Sequence, residues 1–525
     1  MVRGRRRRPL AAVLAAALGL AGCGPRETVY QLKLITTSCD APSPMENVTH
    51  FLFRITGEGI ADPIEVTTLA TARQVTLPPI PVGPKRVVEV RAFQGEPRGG
   101  VLWSVGRTLA FEVPSVPLAV SQDLTVFLRP KNSLLPVSLS ISPQSCSRMG
   151  WPHAGHTATV MRDGKVMIAG GYELDGLGQR VASIHAEVFD PATGGFADLP
   201  DLSYRDAQQQ SVQSPRAFHS GTAVDLGRKV LLAGGETYVA GAAQPLGDAL
   251  LYDAQARSYQ LVPMNAARTQ HGAAIDNGGH LLVMGGYTTG KAFADTLEWF
   301  DATRTLFTPV PGQSLGRAQM GVSAVQDGKY IAVAGGSSGT GVSTEVRLYS
   351  FTGGTGGNTF GLLTTQQMLE PRRAPALSVV GDPARLVALG GYSTLSEAPI
   401  APLASTEVIA TAPQFQVSSG PNITVARGDA CAATLADGRV LVSGGRGLDF
   451  NQSSRSMDNV ELVVQPSSGG PPSVLGLPSL PVPRYWHTCT ALPDGTVLIT
   501  GGVNEQAAGT EILEDAYIFT PAPLD

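Results

Sequence analysis

Short apolar runs, each closed by a pair of glycines, recur along most of this chain, and the pairs begin at Gly170, Gly234, Gly285, Gly335, Gly390, Gly444 and Gly501. Successive pairs lie 64, 51, 50, 55, 54 and 57 residues apart, too regular for chance and too long for helical solenoid repeats. The third repeat shows the internal order: Arg268-x-x-His271, an apolar stretch, an Asn277-Gly278 turn, Leu281-Leu282-Val283-Met284, the glycine pair, then Glu298-Trp299-Phe300-Asp301 and Phe307. Runs of this length bounded by turn residues predict strands. Asp-Gly or Asn-Gly separates the first two strands in five repeats, at Asp163-Gly164, Asn277-Gly278, Asp327-Gly328, Asp437-Gly438 and Asp494-Gly495. Such pairs supply the left-handed backbone of a tight hairpin. Four antiparallel strands per repeat and seven repeats predict an all-β, seven-bladed propeller. A glycine pair at the end of the second strand fits a place where neighbouring blades approach too closely for a side chain.

The last repeat reaches a third strand at 516–520 and has no room for a fourth before the chain stops at Asp525. A propeller must seal its open edge. The alternating run 135–141, just ahead of the first repeat, is the candidate for the missing outer strand.

Before the repeats the pattern changes. From Glu27 to about Pro130 the glycine pairs are absent and alternating strands are expected at 29–36, 48–55, 86–93, 108–113 and 123–128. A small β-sandwich, similar to the immunoglobulin-like or prealbumin-like modules of bacterial surface proteins, is the expected fold. The chain thus divides into 1–22, a signal segment; 23–133, the sandwich; and 134–525, the propeller. Composition agrees: 61 glycines and 39 prolines in 525 residues suit turn-rich β structure. A net charge of −4 speaks against a nucleic-acid surface, which carries a basic excess.

The repeats resemble the kelch family. The resemblance rests on the seven glycine pairs, on the aromatic-Asp ends of the third strand (Phe189-Asp190, Tyr252-Asp253, Phe300-Asp301), and on Asp190-Pro191-Ala192-Thr193-Gly194-Gly195-Phe196. Where the family usually has Trp this chain has Phe196, Tyr259, Phe307, Phe360 and Phe415, still large aromatics for the outer blade contact. The resemblance implies the fold and leaves function open, because propellers host enzymes and binding modules alike.

The first segment carries Arg3 and Arg5 to Arg8, an apolar stretch from Leu10 to Leu20 too short to span a bilayer, and Leu20-Ala21-Gly22-Cys23. This is similar to the bacterial lipobox, whose cysteine is acylated and becomes the mature N-terminus. The expectation is an exported protein held to the outer membrane through lipid on Cys23. In such a compartment disulfides can form. Cys39 with Cys146, and Cys431 with Cys489, are the candidate pairs, the alternative being four separate buried thiols.

One chemical constellation repeats. Arg216, Arg268, Arg317, Arg373, Arg427 and Arg484 open the first strands, with His153 in the first repeat, and three residues on stand His156, His219, His271, Met320, Ala376, Ala430 and His487. These arginines, with His219, His271 and His487, are the candidate ligand-binding set. A ring of guanidinium groups at the channel mouth suits carboxylates or phosphates, and kelch propellers that bind acidic peptides resemble this arrangement. The competing reading is that the same side chains brace the blades. Glycine-rich 353–357 reads as a hairpin loop, and no metalloprotease, Walker or EF-hand motif occurs. No cofactor, metal ligand set or catalytic residue is therefore expected. The functional expectation is a monomeric envelope lipoprotein that binds a protein or polysaccharide through long second-to-third-strand loops on one propeller face. Its alternative is a carbohydrate-acting propeller enzyme, either a mutarotase or lyase or a galactose-oxidase-like copper oxidase.

Replacing the acylated cysteine tests the anchor. Cys23→Ser should move the protein from the membrane pellet to the soluble fraction on ultracentrifugation. Unchanged sedimentation, with no membrane partner co-purifying, would refute lipid anchoring.

Overall fold

The computed structural model describes residues 30–524 apart from 41, 72–76, 117–121, 353–358, 399, 466–469 and 508. The signal segment, Cys23 and the glycine-rich 353–357 lie outside the described residues.

Seven four-stranded antiparallel sheets follow one another around a central channel. Blade 1 is Thr157–Val160, Val166–Ala169, Ala186–Asp190 and Gly195–Asp198, paired in that order, and the first strands of blades 2 to 7 begin at Ser220, Gly272, Gly321, Ala376, Cys431 and Thr488. First strands touch first strands all the way round, blade 7 meeting blade 1, so they line the channel.

The second strands are apolar without alternation because both of their faces are covered. In blade 3, Leu281 and Val283 pack towards blade 2 with Leu251 and Phe300, whereas Leu282 and Met284 pack towards blade 4 with Ile331 and Val333. At the outer edge, aromatic cross-strand pairs clamp the third and fourth strands: Phe189 with Phe196, Tyr252 with Tyr259, Phe300 with Phe307 and Phe351 with Phe360, ring centroids 5.0–5.2 Å apart.

The glycine pair makes the joint between blades. Gly285 sits at φ +60°, and a Cβ there would run into the carbonyl oxygen of Arg317 in blade 4. The amide of Gly286 donates to that same oxygen at 2.7 Å. The same bond recurs at every joint: the second glycines of blades 1 to 7 donate to the carbonyls of Arg216, Arg268, Arg317, Arg372, Arg427, Arg484 and His153 in the next blade, at 2.7–2.9 Å.

The ring closes as the sequence leads one to expect, with a shift in the closing strand. Ser133–Pro136 adds to Ala516–Thr520 as the outer strand of blade 7, Leu134 opposite Phe519. The strand starts and ends earlier than the expected run 135–141. Pro136 cannot continue the ladder as a donor, and beyond Val137 the chain turns away: Ser138 bridges to Cys146 and accepts the amide of Cys39 through its hydroxyl.

Residues 30–130 fold as a sandwich. One sheet runs Ile64–Leu69, His50–Thr56, Gly83–Gln94, Val101–Arg107 and Arg129–Pro130, with Phe111–Val113 also on the long central strand. Facing it, Tyr30–Ile35 pairs in parallel with Gln122–Phe127. Leu32, Phe51, Phe53, Ile55, Val88, Val90 and Val126 form the core between them. Strands Ile64–Leu69 and Val101–Arg107 were not among the expected strands. Cys39 and Cys146 are joined, tying the sandwich to the segment leading into blade 1. The sandwich rests against the plain face of the propeller: Arg107 lies over Gly495 and Leu109 over Gly164, both in first-to-second-strand turns. The opposite face, where the second-to-third-strand connections emerge, is left open.

Leu134 of the closing strand is 8% exposed and packs with Phe519, Tyr517 and Leu462. Leu134→Ala should lower stability to denaturant by about 2–4 kcal/mol. A loss below about 1 kcal/mol, with an unchanged slope, would show that this strand does not carry the seal.

Candidate functional site

Each blade opens with a tetrad in which every position has a different job. The tetrads are His153-Ala154-Gly155-His156, Arg216-Ala217-Phe218-His219, Arg268-Thr269-Gln270-His271, Arg317-Ala318-Gln319-Met320, Arg372-Arg373-Ala374-Pro375, Arg427-Gly428-Asp429-Ala430 and Arg484-Tyr485-Trp486-His487.

The first position is a brace within the blade. Arg216, Arg268, Arg372, Arg427 and Arg484 are fully buried and pair with Asp248, Glu298, Glu407, Glu461 and Asp515 of their own third strands at 2.5–2.9 Å. Arg317 pairs with Glu345, and His153 faces Glu187 at 3.8 Å. Arg268 also donates to the Gly285 carbonyl at 2.7 Å and Arg484 to that of Gly501 at 2.9 Å. The expected guanidinium ring at the mouth therefore does not form from these residues. An arginine in a dry joint needs its carboxylate, and removing either partner of such a pair costs about 3–5 kcal/mol. In blade 5 the bracing residue is Arg372, one position before the expected Arg373.

The fourth position links blades. His156, His219, His271 and His487 each place Nε2 2.9–3.1 Å from a hydroxyl of the preceding blade: Thr500, Thr157, Ser220 and Ser443. Burial, and the neighbouring Arg268, push His271 down to about 3, and burial holds the other three well below the ordinary histidine value. They are neutral joints. The candidate set Arg216, His219, Arg268, His271, Arg317, Arg427, Arg484 and His487 is thus engaged in holding the blades together, and Arg373 alone of those residues lines the mouth.

The third position supplies what the sequence reading missed. Gly155, Phe218, Gln270, Gln319, Ala374, Asp429 and Trp486 all have left-handed backbone, φ +48° to +62°. Amide to carbonyl, Phe218 bonds Gly155, Gln270 bonds Phe218, Gln319 bonds Gln270, Ala374 bonds Gln319, Asp429 bonds Ala374 and Gly155 bonds Trp486. This belt projects its side chains at the mouth of the channel. The available signal was the repeat register itself, which aligns these seven residues between the recurring first and fourth positions.

Above the belt, the second-to-third-strand connections rise as hairpins, including Tyr172–Leu174 with Arg180–Ala182, Glu236–Val239 with Ala242–Pro245, Arg446–Leu448 with Ser454–Ser456, and Val503–Gln506 with Gly509–Ile512. Belt and hairpins enclose a cavity of about 800 Å³. The inter-blade hairpin of Ser203–Arg205 with Ser211–Gln213 packs against the outer strand Ser258–Pro263.

The cavity has two sides. On one, Trp486 meets Phe218 edge-on at 4.9 Å and Tyr172 at 6.1 Å, with the Arg180 guanidinium over both Tyr172 and Trp486 at 4.7 and 4.9 Å. On the other stand Arg373, Arg446 and Glu397, with Arg373 3.1 Å from Glu397 and Arg446 3.3 Å from Glu505. Three tyrosine hydroxyls donate to carboxylates: Tyr238 to Glu236 at 2.7 Å, Tyr485 to Glu505 at 2.8 Å and Tyr392 to Asp429 at 2.9 Å. Burial and the adjoining carboxylate raise all three phenols, and burial lifts the Asp429 carboxyl above the ordinary aspartate value. At neutral pH the phenols stay protonated, and Tyr238 and Tyr485 stand beside Tyr172 and Trp486, so that their carboxylate partners offer acceptors to hydroxyl groups at the edge of the rings.

No protein-family profile and no curated protein matches this sequence. Among solved structures, the chain is similar to one titled "Structure of YjhT", at 13% identity over 62% of this chain and 99% of that one, TM-score 0.44. It is also similar to a novel fungal alcohol oxidase with catalytic diversity among the AA5 family, in complex with copper, at 17% identity over 71% of this chain and 75% of that one, TM-score 0.52. The second likeness shows a kelch-like, oxidase-like propeller fold. Copper does not fit this mouth: no histidine or cysteine is among its described lining residues, so imidazole and thiol donors are missing there.

The neutral histidine joints set a pH dependence. A group whose folded pKa lies below its unfolded value takes up protons on unfolding, so stability is full above about 6.5 and falls as pH drops from there towards the depressed values. His219→Met, the residue blade 4 uses, should flatten the loss of melting temperature between pH 7 and pH 5. An unchanged slope would show that His219 does not contribute to it.

Proposed function

We propose that the propeller is a binding module for the exposed end of a saccharide, carried on an exported chain anchored through Cys23. The observation that carries this reading is a small concave mouth in which the rings of Tyr172, Tyr238, Tyr485 and Trp486 cluster, edged by the Tyr238–Glu236 and Tyr485–Glu505 hydrogen bonds. Sugar rings present an apolar C–H face to an aromatic ring and hydroxyls to polar walls. A cavity of this size, with a few converging polar groups, suits a small ligand better than a flat protein surface. Arg446, held beside Glu505 at the mouth, adds a polar contact for the ligand. The sandwich on the plain face serves as spacer, so that a lipid at the N-terminus leaves the mouth unobstructed.

A carbohydrate-acting enzyme would use the same mouth, and the fold likeness to an alcohol oxidase keeps that reading in view. Conversion of a bound sugar, followed by NMR, separates enzyme from binder.

A glycan array, followed by tryptophan fluorescence titration with the hits, tests the module. Trp486→Ala should weaken binding about tenfold or more while circular dichroism and melting stay close to wild type. Absence of any glycan hit, or a hit whose affinity ignores both Trp486→Ala and Arg446→Ala, would refute it.

A further inference from the structure

The joint between blades 6 and 7 breaks the repeat. At three other joints, the residue after the tetrad is a hydroxyl that serves the histidine of the next blade: Thr157 for His219, Ser220 for His271 and Thr488 for His156, at 3.0, 2.9 and 3.3 Å. In blade 6 that residue is Cys431, beside His487. One place further along, where blades 1, 3 and 6 carry Ala158, Ala273 and Ala432, blade 7 carries Cys489. Cys431 and Cys489 are bonded to each other. Both are partly exposed on the innermost strands, whereas His487 is 6% exposed and its Nδ1 has no hydrogen-bond partner.

One donor atom from each of Cys431, His487 and Cys489 lies within 4.8 Å of the others. The Ser443 hydroxyl stands between them, 3.3 Å from the Cys431 sulfur, 3.2 Å from the Cys489 sulfur and 2.9 Å from His487 Nε2. We propose that this joint is a redox-gated metal site: oxidised, it is a cross-blade disulfide; reduced, its two thiolates and the His487 imidazole hold one zinc-class divalent cation, with Ser443 beside it. Two thiolates, one imidazole and an oxygen form a donor set suited to tetrahedral Zn(II). The cation would reach it along the channel, below the saccharide mouth and independently of it.

The chemistry balances. A phosphine or thiol reductant attacks one sulfur; the S–S bond breaks, and two electrons and two protons pass to the sulfurs. A phosphine leaves as its oxide, taking oxygen from water, and a thiol leaves as a disulfide. Cation binding then releases the two thiol protons.

Cobalt(II) reports on such a site through its sulfur-to-metal charge-transfer band. The full chain, reduced with a water-soluble phosphine and desalted under nitrogen, should bind one equivalent with that band, and the oxidised chain none. Cys431→Ser and Cys489→Ala place at each position a residue used at the equivalent place in other blades, so both variants should fold, and both should lose the band. His487→Gln should keep a band but weaken affinity about tenfold or more. No band from reduced protein whose thiols titrate as free would overturn the proposal. So would a band that survives in either folded cysteine variant, or an affinity indifferent to His487→Gln.

Discussion

Everything in the propeller hangs on one carbonyl oxygen per blade. The backbone oxygen of the residue opening each first strand accepts the second-glycine amide of the preceding blade, while a side chain on the preceding first glycine would occupy the same space. The bond and the exclusion together demand two consecutive glycines in left-handed backbone. Where the same residue is arginine, its side chain reaches the third strand of its own blade and, in blades 2 to 5 and 7, its own first-glycine carbonyl. One residue thus fastens a blade to its neighbour and to itself. That double duty explains why arginine is buried here, and why a buried carboxylate travels with it. In blades 1, 3, 5 and 6 the acid also accepts backbone amides from the linker leading into the blade, at Gly150, Asn265, Leu369 and Thr424.

The mouth follows from the same geometry. With the first residue of each tetrad spent on bracing and the fourth facing a neighbour, the second and third are left to vary; the left-handed backbone of the third turns it to the channel opening, where Thr269, Arg373 and Tyr485 join it from the second. Seven equivalent positions then differ in chemistry: Trp486 and Phe218 make one side apolar, Gln270, Gln319 and Asp429 make the other polar. A symmetric scaffold acquires an asymmetric pocket at positions that carry none of the joints, so ligand specificity can change there with little cost to the fold. The sandwich, seated on the tight-turn face, leaves this opening clear.

The joint between blades 6 and 7 shows the converse. There the variation falls on a structural position, and hydroxyl and alanine are replaced by two cysteines beside a histidine that serves as a joint elsewhere. A repeat protein makes such exceptions easy to see, because the other blades display what the fold alone requires.

Blade number, strand order, the existence of a closing strand and the sandwich were legible in the sequence, because each rests on local chemistry: tight Asp-Gly turns, doubly buried apolar runs, and glycines that tolerate left-handed backbone. The repeated Arg-x-x-His was visible too, but the sequence left it open between binding a ligand and bracing the blades. What the side chains of that motif face was not legible, because direction around the channel depends on backbone handedness at the third tetrad position, which Phe218, Gln270 and Trp486 adopt without being glycine. The one-residue choice between Arg372 and Arg373 was hidden for the same reason: adjacent arginines look alike in a sequence, both are buried, and only the position of Glu407 on the third strand selects Arg372 as the brace. The pocket itself joins residues up to 338 positions apart, Tyr172 to Thr510, and is assembled by ring closure alone.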